Sequence, residues 1–414
     1  MVAVRQVQVV KSFLGKRSKG AIAVCPGCGE AYPVAGGPMC QGCFGGMPFE
    51  EPQALVSKLT PKLTAVALEE AVGRKLLHDM TEIKPGVSKG PAFSRGQTVE
   101  AGDLCRLQRM GRMHVYVEDG HSEIRPSGPP EETGSLVHEE EAARAMADAL
   151  CRVGGLMSAG APREGKITLL AARDGLFSVD QARLAALNAL GDVVASTRRH
   201  GSLVKTGQAV AALRAIPLFL PRQTLDAAVR LIQRSGIADV LPLRAARAGA
   251  LITGTEVFLG LVEDRFADIL AAKLAKLGST LAKTLLVPDN VSAIASGASE
   301  LLGAGCDLIF TTAGLSVDPG DVTLQGLAAA GLTDALFGMP VTPGNMTLMG
   351  NIRGVPVLGI PACALFHQAT SLDILLPRIL AGLSFTRAEL ARMGHGGLCL
   401  NCETCSFPHC PFGT

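Results

Sequence analysis

The chain has 414 residues, a net charge of +2 at neutral pH and 48% hydrophobic residues, with a mean hydropathy of +0.30. That length implies two or more domains with ample core, and the near-balanced charge excludes a global field directed at nucleic acid. The apolar excess is Ala, Val, Leu and Gly, without an uninterrupted run long enough to span a bilayer, so no membrane partner is expected.

The first twenty residues carry Arg5, Lys11, Lys16, Arg17 and Lys19 and lack the apolar core and small-residue cleavage site of a secretory signal. Val2, Val4, Val7 and Val9 read as one strand face, and the chain is read as cytoplasmic. In that reducing setting, cysteines at short paired spacings point to metal rather than disulfides. Cys25-Pro26-Gly27-Cys28 and Cys40-Gln41-Gly42-Cys43 form two such pairs, eleven residues apart. Four thiolates so spaced predict a closed tetrahedral zinc site, within a zinc-ribbon-like module over residues 1–50.

A proline-bearing linker, Pro48 to Pro61, follows. Residues 62–126 alternate helix, turn and strand, with a strand at His114 to Val117. This segment contains His78-Asp79 and Lys89-Gly90. A lone His is more often a surface or satisfied residue than a ligand, and Lys89 is either a point charge for phosphate or a solvated cation. Pro126-Ser127-Gly128-Pro129-Pro130 marks a second linker. Residues 131–247 then read as mixed α/β. A helix from Glu139 to Leu150 has acids in its first turn. Strands at Lys166 to Ala171 and Asp192 to Thr197 flank a helix at Gln181 to Leu190. A further helix runs from Leu225 to Arg234 and stops at Gly236.

From Ala248 the pattern becomes a strict alternation of strand and helix, over a domain at 248–385. Strands are predicted at Ala250 to Ile252, Leu281 to Val287, Asp307 to Thr312 and Val355 to Ile360. Helices are predicted over Phe266 to Leu277, Asn290 to Leu302 and 322–330. Such alternation implies an α/β fold, a parallel sheet with helices on both faces, and ligands bind at the carboxyl ends of its strands. Thr253-Gly254-Thr255-Glu256, Pro288-Asp289, Thr311 to Asp321 and Ile360-Pro361 all fall at those ends.

Within them, Asp321 and Asp289 are each open to two readings: a hard oxygen ligand for Mg²⁺ or substrate, or a helix cap. Glu256 and Asp264 face a similar choice near the helix that begins at Arg265. Thr312 and Ser316 suit donation to a phosphate and are also ordinary turn residues. Cys363 stands at a strand end, as a metal contact or as packing.

The tail, residues 386–414, contains Cys399-x₂-Cys402-x₂-Cys405-x₄-Cys410-Pro411. Its spacing is similar to a bacterial ferredoxin run with one extra residue, which predicts a [4Fe–4S] cluster, with zinc and His395 or His409 as the rival. Too few apolar residues are present for the tail to fold alone, so a metal is expected to organise it.

The loop Thr311-Thr312-Ala313-Gly314-Leu315-Ser316-Val317-Asp318-Pro319-Gly320-Asp321 resembles the pterin-phosphate loop of molybdopterin-binding domains of the MoeA, MogA and gephyrin family. Gly254-Thr255-Glu256, Pro288-Asp289-Asn290, Met339 to Gly344 and Ile360-Pro361-Ala362-Cys363 are similar to the family's other segments, in order. Uncharacterised molybdopterin-binding proteins of anaerobic bacteria resemble the chain from about residue 62 onward, Cys-rich tail included. The family resemblance implies molybdopterin bound by Gly254, Glu256, Thr311, Thr312, Gly314, Ser316, Asp318, Pro343, Gly344 and Cys363. Asp289 and Asp321 would be the catalytic or Mg²⁺-holding residues. It further implies a homo-oligomer acting in cofactor biosynthesis, metal insertion or delivery to an anaerobic molybdo- or tungstoenzyme, by a transferase-like activity. Ala362-Cys363 replaces the family's Gly-Asn, which leaves a non-enzymatic carrier, chaperone or sensor as the alternative.

Overall fold

The computed structural model describes residues 22–24, 31–33, 63, 65–84, 86–118, 135–152, 154–233, 236–312, 314–315 and 321–413. The expected zinc ligands Cys25, Cys28, Cys40 and Cys43, the valine strand, both linkers, Ser316 and Asp318 lie outside the described residues. Ile22–Val24 pairs antiparallel with Ala31–Pro33. The chain divides into two compact units. The first comprises residues 1–172, 179–198 and 206–239, and the second residues 173–178, 199–205 and 240–414.

In the first unit, Ala65–Ala67 pairs with His114–Tyr116, and Met80–Lys84 with Ser88–Phe93. Leu68, Leu76, Met80, Phe93 and Leu107 form their shared core. A four-stranded antiparallel sheet follows, in the order Val193–Thr197, Ala209–Ala215, Lys166–Ala171, Leu156–Ser158. The helix Glu139–Cys151 packs on it with Ala142, Ala143, Met146 and Leu150 buried, a stripe at helical spacing. His138 caps this helix: its Nδ1 accepts the Glu140 N–H at 3.2 Å, while Nε2 is 3.3 Å from the Leu77 carbonyl. The ring is therefore neutral, with the proton on Nε2.

The second unit carries the strand–helix alternation. Its elements are β1 (Arg247–Thr253), α1 (Phe266–Ala275), β2 (Thr280–Val287), α2 (Val291–Gly303), β3 (Leu308–Thr312), α3 (Thr323–Ala329), β4 (Leu332–Phe337), β5 (Leu348–Ile352), β6 (Val355–Ile360), α4 (Ser371–Leu380) and α5 (Arg387–Arg392). The six strands are ordered β2-β1-β3-β6-β5-β4. The first four are parallel, and β5 and β4 add an antiparallel edge. The α/β expectation holds, and the hairpin β4–β5 extends the parallel sheet expected from the sequence.

Alternation along β1 divides the core. Ala248, Ala250 and Ile252 pack with Leu270 and Leu274 of α1 and Leu375 of α4. Leu251 faces Ile294, Ala298 and Leu301 of α2 and Leu327 of α3. Helices thus cover both faces, as a buried parallel sheet requires. A methyl group on Gly297 would lie 2.6 Å from Leu251, so the helix–sheet approach depends on glycine there.

The tail is docked on this unit. Thr342 and Leu398 form a parallel bridge, with the Thr342 N–H donating to Gly397 and the Cys399 N–H to Thr342, each at 2.8 Å. Phe412 is 2% exposed within the core. Arg199 Nη1 donates to the Phe412 carbonyl at 3.1 Å. The sequence counted too few apolar residues for the tail to fold alone. Phe412 packs into a core built by other elements, a contact that orders the end of the tail.

Candidate functional site

The carboxyl ends of β1, β2, β3 and β6 converge on one sheet edge. At the end of β1, Thr253 donates its hydroxyl to the Thr312 carbonyl at 2.7 Å and lies 3.1 Å from the Thr323 hydroxyl. These contacts tie β1 to the end of β3 and the start of α3. Gly254 follows with φ +144, and Glu256 folds back so that a methyl on Gly254 would meet its carboxylate at 3.0 Å. The Glu256 carboxylate therefore lies over the Gly254 backbone, on the exposed one-turn helix Thr255–Phe258.

Asp289, after β2, accepts from both the N–H and the hydroxyl of Thr255. Asn290, not Asp289, caps α2: its Oδ1 accepts from the N–H groups of Ser292 and Ala293 at 2.9 and 3.1 Å. Asp264 resolves to capping, accepting the Phe266 and Ala267 N–H groups at the start of α1. Asp321 does not occupy the N-cap of α3, which is Val322.

β3 is buried throughout, and Thr311 and Thr312 at its end are 0% exposed. Neither hydroxyl has a hydrogen-bond partner among the described residues. A buried hydroxyl left unpaired costs about 1–3 kcal/mol, so each of these two calls for a partner from the loop or from a ligand. Gly314 sits just beyond at φ +59, a left-handed conformation that favours glycine. A methyl there would overlap the Thr323 hydroxyl and lie 3.3 Å from that of Thr253. The Thr323 N–H donates to the Gly314 carbonyl at 3.3 Å. The loop backbone is thus pressed against the side chains of Thr253 and Thr323.

Residues 339–347 reach the same edge, because Leu348 of β5 pairs with Gly359 of β6. Pro343 and Gly344 are buried there. The Ser371 N–H, at the start of α4, donates to the Pro343 carbonyl at 3.2 Å, and Thr347 donates to the Gly344 carbonyl at 2.7 Å. Gly344 has φ +127 and no room for a side chain against Ser371. This backbone is spent on anchoring α4. Cys363 lies half-buried in the 3₁₀ turn Ala362–Leu365 after β6. Burial pushes its thiol pKa up, which keeps it protonated at neutral pH.

Cys399, Cys402, Cys405 and Cys410 line one cavity of about 470 Å³, together with His367 and His409. Among the described residues, no three His, Cys, Asp or Glu side chains are gathered closely enough to hold a metal ion. The four thiols share a cavity without converging on one point in it.

Comparison with known proteins bears on these observations in segments. Residues 249–381 match the family described as a probable molybdopterin binding domain. Residues 16–50 match the FmdE treble clef zinc finger, where the knuckle spacing alone suggested a ribbon-like module. Residues 65–119 match a domain of unknown function. Over residues 249–381 the chain is thus similar to molybdopterin-binding domains.

A CinA-like protein of Mycolicibacterium vanbaalenii is 40% identical over 81 residues, which is 20% of this chain and 19% of that protein. The chain thus spans about a fifth of the length of the curated relatives it matches. The molybdopterin biosynthesis enzyme MoaB of Thermus thermophilus superposes with a TM-score of 0.29 at 22% identity, over 34% of this chain and 99% of that one. The molybdopterin biosynthesis MoeA protein of Pyrococcus horikoshii gives 0.28 at 13% identity, over 81% and 79%. No helix among the described residues is long and apolar enough to cross a membrane.

Proposed function

We propose that the chain binds molybdopterin or the molybdenum cofactor at the edge formed by Gly254, Glu256, Thr311, Thr312 and Gly314. It would serve cofactor biosynthesis, metal insertion or delivery to a molybdo- or tungstoenzyme. The observation that carries this reading is the close packing of Gly314 beside two buried threonine hydroxyls that have no hydrogen-bond partner among the described residues. A phosphate group at the loop would accept from such hydroxyls and from loop N–H groups. Ser316 and Asp318 complete the loop in this reading. Pro343, Gly344 and Cys363 would contribute further contacts to the cofactor in this reading.

Mg²⁺, if used, would take Asp289 and Asp321 as oxygen donors. The Asp289 Oδ2 is already engaged with Thr255, which favours holding and delivery over turnover. A transferase reading requires that ATP or molybdate be consumed. Zinc would occupy Cys25, Cys28, Cys40 and Cys43, and a [4Fe–4S] cluster or zinc the tail cavity. The loop after Glu256 exposes Phe258, Leu259, Leu261 and Val262, an apolar stretch that self-association would cover. The deciding measurement is the pterin and metal content of the protein purified without oxygen. Protein free of pterin, and unable to take it up when supplied, would refute the reading.

A further inference from the structure

A second cavity, of about 420 Å³, is lined wholly by residues of the first unit. Its cations come from three distant segments. Lys89 stands on the strand Ser88–Phe93, Arg112 in the turn before His114, and Arg214 on the strand Ala209–Ala215. None of the three has an ion-pair partner within 4.0 Å among the described residues. The fold thus brings three cations, none of them in a close ion pair among the described residues, into one concavity with three carboxylates, a mixed lining that suits a ligand carrying both an anionic group and hydroxyl groups.

The rest of the lining has another chemistry. Asp79, Glu139 and Glu164 supply carboxylates, and the His78 and Tyr116 rings lie 6.0 Å apart. Nδ1 of His78 is buried without a hydrogen-bond partner among the described residues. Glu164 adopts φ +49 in a two-residue turn closed between Arg163 and Lys166. Its carboxylate accepts from the Thr81 hydroxyl. A glutamate held left-handed costs about 1 kcal/mol or more, and such positions cluster at functional sites. Burial drives the Glu139 carboxyl up to about 7, so near neutral pH it both donates and accepts.

We propose that this cavity binds a small phosphomonoester whose organic part carries hydroxyl groups, as in a sugar phosphate. Lys89, Arg112 and Arg214 hold the phosphate dianion, for which three cations are better matched than for a single carboxylate. Asp79, Glu139 and Glu164 accept from the hydroxyls, and the unpaired His78 nitrogen takes one more hydrogen bond. The aromatic faces of His78 and Tyr116 cover the apolar side of the ring.

The test is calorimetric titration of the full chain with ribose 5-phosphate, and separately with inorganic phosphate and with ribose. Saturable binding of ribose 5-phosphate is expected, with inorganic phosphate weaker and ribose weakest. The double variant Arg112→Ala/Arg214→Ala should lose at least about tenfold in affinity, as expected for removing charge-assisted contacts. Both positions are exposed, and unchanged circular dichroism will establish that the variant is folded. Lys89→Met serves as an independent variant with a loss in the same direction. A wild-type chain that does not bind ribose 5-phosphate overturns the proposal. So does binding that survives the loss of all three cations. Inorganic phosphate binding as tightly as ribose 5-phosphate overturns the sugar-phosphate assignment.

Discussion

The Asp289 carboxylate accepts the Thr255 N–H at 2.9 Å and the Thr255 hydroxyl at 3.1 Å, and the Thr255 oxygen in turn lies 3.2 Å from the Asp289 N–H. Two residues 34 apart in sequence thereby clasp the loops that leave β1 and β2. Asp289→Ala leaves the Thr255 N–H without its acceptor and should cost about 1–2 kcal/mol. Asp289→Asn keeps one carbonyl oxygen for that N–H and should cost about half as much. Chemical denaturation of both variants measures the difference. If pterin uptake falls in Asp289→Asn while its stability holds, Asp289 acts on ligand or Mg²⁺ as well as on the clasp.

Gly314 is the second point of test. Its φ of +59 and the Thr323 hydroxyl at its Cα leave no space for a side chain. Gly314→Ala should destabilise by about 1–3 kcal/mol through backbone strain and overlap. Gly314→Val should abolish pterin binding while leaving a folded chain. Thr323→Ala relieves the overlap, so the pair Gly314→Ala/Thr323→Ala should recover part of the lost stability. Thermal unfolding of the two single variants and the double variant checks this coupling. A double variant whose loss equals the sum of the singles would show the two sites to be independent.

Much of this edge is legible in the sequence, because β1, β2, β3 and β6 are apolar runs punctuated by helices at regular intervals. The hairpin β4–β5 is not. Leu332–Phe337 carries Thr333 and Asp334 on an exposed edge, and neither an apolar run nor strict alternation marks it. Nor does sequence reveal the Thr255–Asp289 clasp, since either residue alone reads as a cap or a loop donor. The cavity of the first unit was missed for the same reason. His78 and Lys89 attract notice singly, but only folding brings Arg214 and Glu139 beside them. The docking of the tail is equally hidden in the sequence, since a lone Phe412 looks incidental until a core from other elements receives it.

Adjacent residues His138 and Glu139 give opposite pH dependences. Burial, then the Arg95 charge, lowers the His138 pKa to about 4 from 6.5. A proton bound there opposes folding, so its contribution to stability rises with pH from about 4 to 6.5. Burial raises the Glu139 pKa to about 7 from 4.5, so its contribution falls with pH across that interval. The two largely offset each other where they overlap. Glu139→Gln removes the falling component. Its Tm should then climb between pH 4 and 6.5, and it should exceed the wild-type value above pH 7. A wild type and variant with parallel Tm profiles would contradict this assignment.

The tail gives the last test, because packing and metal make separable predictions there. Phe412 is buried against the core of the second unit, and its truncation to Ala should cost about 3–5 kcal/mol or release the tail. Limited proteolysis near residue 399 would report that release. The four thiols of Cys399, Cys402, Cys405 and Cys410 line one cavity, so a cluster bound there would have to draw them together. In protein prepared without oxygen, iron and acid-labile sulfide should rise together and both fall in Cys402→Ser. That side chain is exposed, so the substitution leaves Phe412 docking intact and the tail resistant to protease. Zinc in place of iron would reassign the metal and keep the thiol site. A tail that stays docked in Cys402→Ser and takes up neither metal in the wild type would make the cysteines a packing feature alone.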